Sequence, residues 1–198
     1  MTHKGLPMHA FATEAEWARW LAGNGASSQG LWLKFYKKGS GNPCVGKAEA
    51  IEAALCHGWI DGQLDSFDDM AWLVRFTPRK STSKWSENNR QTAERLIADG
   101  KMTPAGLAEV ERARADGRWD AAYASQSRAA VPDDLAAALD ASPEAKAFFQ
   151  TLSSANRYAI LYRTHGAKKP ETRKARIGKF IAMLERGETI HPQKPRKP

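Results

Sequence analysis

Between Leu55 and Arg90 the chain reads LCHGWIDGQLDSFDDMAWLVRFTPRKSTSKWSENNR, which sets three tryptophans among Asp61, Gln63, Arg75, Thr77, Arg79, Lys80, Ser86 and Asn89. Large amphipathic rings alternate there with groups that need partners once buried. A plain core would be apolar and periodic; this mixture suits a polar-lined pocket or a binding surface. Trp59, Asp61, Arg75, Arg79, Trp85 and Asn89 are therefore the candidate ligand-binding residues, for a small anionic or amide-bearing ligand. Asp61 and Arg75 are expected to meet as an ion pair across a hairpin, and Trp85 and Asn89 to share a helix face at the i, i+4 spacing. The same residues are equally compatible with a structural polar network that pins a hairpin to a helix. No nucleophile stands beside an evident base, so the pattern assigns no reaction and no catalytic residue.

Three other patterns touch on chemistry. Gly41 to Lys47 (GNPCVGK) matches the G-x4-G-K part of a phosphate-binding loop, but Ala48 stands where a hydroxyl should hold magnesium and Pro43 removes a backbone donor. Cys56 and His57 are adjacent, so on a helix they point about 100° apart and cannot face each other as nucleophile and base. No ligand set has zinc-like spacing, so no metal and no cofactor is implied. His165 before Gly166 sits where a helix C-terminus favours a cation.

Charge divides unevenly. Met1 to Pro132 carries 17 Lys and Arg against 15 Asp and Glu, while Asp133 to Pro198 carries 13 against 7. The alternative function is thus weak nucleic-acid binding through Lys168, Lys169, Arg173, Lys174, Arg176 and Lys179, although a solvated basic helix face has the same composition. No apolar run approaches the roughly 20 residues of a membrane span. The N-terminus MTHKGLPMHAFATEAEW has a single Lys and no continuous apolar stretch, unlike a signal peptide, and a cytoplasmic location with Cys44 and Cys56 as thiols is expected. Oligomeric state is not legible.

The elements that must position these residues follow from local signals. Thr13 and Glu16 form a capping box ahead of Trp17, Trp20 and Leu21. Leu31 to Lys38 alternates as a strand, and Lys47 to His57 reads as a helix closed by Gly58. Gln63 to Phe67 and Met70 to Thr77 read as a hairpin. Ser83 is expected to cap a helix running to about Asp99, and Thr103-Pro104 to start another that ends at Gly117. Helices resume at Pro132-Asp133, Ser142-Pro143 and Ser153 and after Pro170, where Ile177, Phe180, Ile181 and Leu184 take amphipathic spacing. The expected architecture is α+β: a small antiparallel sheet flanked by helices over 1–117, a linker over 118–131, a helical module over 132–187, and a disordered basic tail over 188–198.

ALCHGWIDG (Ala54 to Gly62), RFTPRK (Arg75 to Lys80), Trp85-Ser86 with Asn89, and MTPAG (Met102 to Gly106) together resemble the bacterial YdeI/OmpD-associated family, often labelled bacteriocin-protection proteins. Leu31 to Lys38 fits that family's early strand, and Ala147 to His191 resembles its C-terminal module. The resemblance implies a link to envelope stress and antimicrobial-peptide resistance, with no established reaction or cofactor, and it carries over no catalytic residue. Members have been suggested to be periplasmic, from which this N-terminus departs. His57 stands where an aromatic residue is common in relatives.

Overall fold

Alternation along Leu31–Tyr36 divides two sets of side chains, and in the computed structural model this strand, β3, is the centre of a five-stranded sheet. The structure describes residues 1–124 and 128–193, in two units, Met1–Ala122 and Tyr123–Pro198. The first unit runs β1 (Thr2–His3), β2 (Leu6–His9), α1 (Glu14–Asn24), β3, α2 (Lys47–Cys56), β4 (Trp59–Ser66), β5 (Ala71–Pro78), α3 (Glu87–Ala98) and α4 (Pro104–Ala115). Strand order is β1-β2-β3-β5-β4. The α+β class is as expected from the sequence, with one difference: β2 pairs parallel to β3, through Met8 with Trp32 and His9 with Leu33, so the sheet is mixed.

The pleat sorts the residues. Leu31, Leu33 and Phe35 of β3 and Val74 and Phe76 of β5 share one face, where they pack with Trp17 and Leu21 of α1, Ala50, Ala53 and Ala54 of α2, and Trp59. Trp32 and Arg75 pair directly, as do Lys34 and Leu73, so all four belong to the opposite face. The N-terminal hairpin, which sequence patterning did not reveal, folds onto that second face. There His3 Nε2 lies 2.9 Å from Asp65 Oδ2, Lys4 Nζ reaches the same carboxylate, and the His3 ring stands edge-on to Trp32 at 4.9 Å.

Behind the C-terminal end of α2, a second cluster joins Leu55, Cys56, Trp85, Ala93, Leu96, Val110, Ala113, Trp119 and Ala122. The cluster takes in two residues of the expected linker at 118–131. Trp119 and Ala122 are buried within the first unit, because α3 and α4 leave an apolar gap that the chain must turn back to fill. Ser125 to Ser127, also within that expected linker, lie outside the described residues.

Two boundaries differ from their local signals. β4 begins at Trp59, not Gln63, because Ile60 pairs with Thr77 and Asp61 with Phe76 before a bulge at Gly62 and Gln63. α3 is capped by Ser86, not Ser83: the Ser86 hydroxyl accepts from the Asn89 amide, while Ser83 Oγ is occupied by the Lys80 amide at 2.9 Å.

The second unit holds α5 (Asp133–Asp140), α6 (Pro143–Thr151), α7 (Ser154–His165) and α8 (Pro170–Glu185). Leu135, Leu139, Phe149, Ile160, Ile177, Phe180 and Leu184 form its core. Part of the segment expected to be a tail is ordered. The buried Asn156 donates to His191 O at 2.9 Å and Gln193 Oε1 at 3.0 Å, and accepts from the His191 amide at 2.8 Å. A buried carboxamide without these partners would carry a desolvation penalty, which is the physical reason residues up to Gln193 stay down. Lys194 to Pro198 of that expected tail lie outside the described residues. Among the described residues no helix is long and apolar enough to cross a membrane.

Candidate functional site

The six residues singled out between Trp59 and Asn89 do not converge on one concave site. Trp59 is 1% exposed in the helix-covered core, its indole N–H donating to Gly25 O at 3.2 Å and its ring edge-on to Trp17 and Trp20. Asp61 pairs with Phe76 and so shares that face, whereas Arg75 pairs with Trp32 on the other. The expected Asp61–Arg75 ion pair is not formed, because neighbours one step apart across a pleated hairpin point to opposite sides of the sheet. The Arg75 guanidinium runs over Gly62 instead.

Arg79 and Trp85 do meet. The Arg79 guanidinium carbon stands 3.5 Å from the Trp85 ring centre, its Nη1 donates to Lys84 O, and both side chains are buried. Trp119 meets the Trp85 ring edge-to-face at 4.8 Å, and Arg118 Nη1 donates to Ser83 O. This is a cation–π pair that pins the turn between β5 and α3. Trp85 precedes the helix and Asn89 is its third residue, so they do not share a helix face as an i, i+4 pair, and the Asn89 backbone N–H donates to the Ser86 cap.

The P-loop-like match also resolves. Gly46 N–H donates to the Glu49 carboxylate at 3.0 Å, so an acid side chain occupies the position a phosphate would take at the start of α2.

A concave site lies one residue from Gly58. Leu21, Ala22, Gly25 and Ala26 from the end of α1, His57 at the end of α2, and Thr103, Pro104 and Ala105 at the start of α4 line a cleft of about 410 Å3. Each wall has a local cause. Gly58 adopts φ +73°, ends α2, and packs so closely that a Cβ would lie 3.0 Å from Ala105 O. Thr103 donates to Cys56 O through both its amide, at 3.1 Å, and its hydroxyl, at 2.6 Å, joining the C-terminus of α2 to the N-terminus of α4. The buried Gly106 leaves room for this joint, since a Cβ there would overlap the Cys56 carbonyl. Trp59 backs the cleft through its bond to Gly25.

Mostly apolar walls surround one titratable ring. Burial holds His57 below the ordinary imidazole pKa, so at neutral pH it presents one donor and one acceptor. The Thr103 hydroxyl is committed to Cys56 O, and burial pushes the Cys56 thiol up, leaving no activated nucleophile among these groups. Sequence reasoning passed over these residues, treating His57 as an ordinary polar histidine and Thr103-Pro104 as a helix start, although CHG and TPAG both belong to the motifs that carried the family resemblance.

The fold and cleft define a two-unit α+β protein with an apolar, histidine-bearing cleft in its N-terminal unit. The chain belongs to the family of the domain of unknown function DUF8412, whose model matches residues 9–109. Residues 128–187 match the model described as Bacteriocin-protection, YdeI or OmpD-Associated, so the suspected family is found over part of the chain. That match falls on the C-terminal helices, whereas the motifs between Ala54 and Gly106 fall within the other one. No curated protein and no solved structure matches the chain.

Proposed function

We propose that the N-terminal unit is a small-molecule-binding domain whose site is the His57 cleft, and that its ligand is a mostly apolar molecule carrying one amide or hydroxyl group. The observation that carries this reading is the cleft itself. Its volume of about 410 Å3 falls in the range of ligand pockets, and its single imidazole is set among Leu21, Ala22, Ala26, Pro104 and Ala105. A neutral imidazole pairs well with the donor and acceptor of an amide. The first turn of α4 adds a weak positive potential on the opposite wall. Relative to the ligand expected from the sequence, the amide-bearing alternative is favoured over the anionic one, since no cation lines this cleft.

The name of the C-terminal family makes resistance to bacteriocins the setting in which to seek such a ligand. We place the protein in the cytoplasm on the same terms, with the unbridged Cys44 and Cys56 in support.

Thermal-shift screening of an amide-bearing metabolite set against the full chain tests the reading. A true ligand at 100 times its dissociation constant adds about 2.7 kcal/mol of stability. His57→Ala and the cleft-filling Ala22→Leu should each remove the shift while leaving the unliganded melting temperature within a degree or two. A hit that survives both changes binds elsewhere and sinks the proposal.

A further inference from the structure

The cations of the second unit fall into two groups. Arg173 is held by Asp134 through Nε at 2.5 Å and Nη2 at 2.8 Å and donates to Thr164 O through Nη1; Lys146 pairs with Asp140 at 2.7 Å, and Arg186 with Glu188 at 2.8 Å. Lys168, Lys169, Lys174, Arg176 and Lys179 form no salt bridge among the described residues. From Arg163 to Lys179 the chain has seven Lys and Arg and a single acid, Glu171. Folding has therefore neutralised Arg173 and left the other six without an acid; Lys168 and Lys169 stand just before α8, and Arg176 and Lys179 share one face of it, while Lys174 lies on another.

That face has shape. Thr172, Ala175, Arg176 and Lys179 line a shallow cleft of about 330 Å3. Arg176 is anchored by a 2.6 Å bond from its Nη1 to Arg163 O, which fixes one cation of the wall. Lys169 is the N-cap of this 16-residue helix and contributes no capping side-chain bond, so the first-turn amides add to the positive potential beside Lys168 and Lys169.

We propose that this face of α8 is a docking surface for the phosphate backbone of a nucleic acid, bound without sequence selection. The interval from Thr172 to Lys179 covers about 10 Å of helix axis, about three phosphates of one strand. Two observations favour this partner over a lipid surface. The large apolar side chains that stand exposed are Met1, Leu64, Phe67 and Met70, all in the other unit, and the outward residues of this face are small or charged. A membrane-surface helix needs an apolar face to insert. Arg173, part of the set expected from sequence, drops out because its guanidinium is already bound.

The test is fluorescence anisotropy of the full chain with a labelled 20-base-pair duplex and a labelled 20-nucleotide single strand, across 50–200 mM salt. The variant is Lys168→Glu, Lys169→Glu, Lys179→Glu, three exposed cations whose reversal disturbs no bond described above. Its control reverses Lys146 and Arg186, which lie in salt bridges, two reversals against the variant's three, and every protein retains Lys194, Arg196 and Lys197. The triple variant should raise the dissociation constant more than tenfold. It should also lower the slope of log affinity against log salt by up to about 2.7 on duplex, near 0.9 per phosphate contact. The control should change both by less than a third of that. Equal weakening by the control, an unchanged salt slope, or tighter binding to phosphatidylglycerol vesicles than to either nucleic acid overturns the proposal.

Discussion

The two units handle positive charge in opposite ways. Met1–Ala122 has 16 Lys and Arg against 15 Asp and Glu, and it draws several cations into its structure: Arg79 is buried on Trp85, Arg118 binds Asp116 and Ser83 O, and Arg95 reaches Glu52 and Asp99. Tyr123–Pro198 has 14 against 7 and leaves Lys168, Lys169, Lys174, Arg176 and Lys179 without an acid. Trp59, Arg79 and Trp85, which look most like a ligand site, are thus buried against protein groups in the first unit, and the site proposed there is a shape with one histidine. In the second unit shape is slight and charge is what remains. Residue type alone cannot separate these cases. Partner assignment does, because a cation already paired with a carboxylate has little attraction left for an external ligand, whereas one bonded only to a neutral carbonyl keeps its charge.

The largest expected effect probes the first region. Trp59→Ala should cost about 3–5 kcal/mol in a urea denaturation experiment and remove the ring that backs the His57 cleft, because a fully buried indole leaves a void that its neighbours cannot fill. Trp59→Phe retains most of the volume and loses only the bond to Gly25 O, so about 1 kcal/mol is expected. If either change altered nucleic-acid affinity of a still-folded chain, the assignment of separate tasks to the two units would fail.

Asn156→Ala comes next, at roughly 1–3 kcal/mol, since it leaves backbone groups of His191 and the carboxamide of Gln193 without their buried partner. Hydrogen exchange should show residues 189–193 losing protection first. Protection equal to that of the unchanged protein would mean that Asn156 does not hold this segment.

Acid should separate the units by pH. The Asp134 carboxyl is held below its ordinary range chiefly by the Arg173 hydrogen bonds. The stability it supplies is present above the unfolded carboxylate pKa and fades as pH falls through the depressed folded value, by about 1 kcal/mol or less for so exposed a pair. Asp134→Asn should flatten this acid-side loss. His57 is depressed by burial, so the unfolded chain takes up a proton that the folded one resists, and stability declines as pH falls through the ordinary imidazole range. His57→Gln should flatten that decline, at a pH well above the Asp134 effect. Denaturation midpoints between pH 3 and 8 measure both, and a single shared inflection would contradict the separation.

The smallest effect is a rate. Cys56 is buried with its pKa raised, while Cys44 is half-buried, so a thiol reagent should label Cys44 first and Cys56 only on unfolding, as read by mass spectrometry. Comparable native rates at both sites would show that the joint between α2 and α4 opens readily.

Much of this was written locally in the chain. Thr13, Ser142, Ser153 and Thr103 each stand where a hydroxyl caps a helix, Gly58 ends α2 in the left-handed region, and the 3.6-residue spacing of Ile177, Phe180 and Leu184 marks the buried face of α8. These signals act over one turn or one strand, so no tertiary context is needed to read them. The excess of positive charge beyond Asp133 was equally plain. What the tertiary structure alone decided is which distant groups meet. Only the register of β4 on β5, with its bulge, puts Asp61 and Arg75 on opposite faces, and only the packing of α4 on α2 brings Thr103 to Cys56, 47 positions away, and so creates the cleft beside His57. Likewise Arg173 and Arg176 are indistinguishable as residues, and it is the position of Asp134, 39 positions from Arg173, that removes one from the surface charge and leaves the other exposed to a partner. Pairing across such separations depends on how whole elements pack, and no local periodicity encodes it.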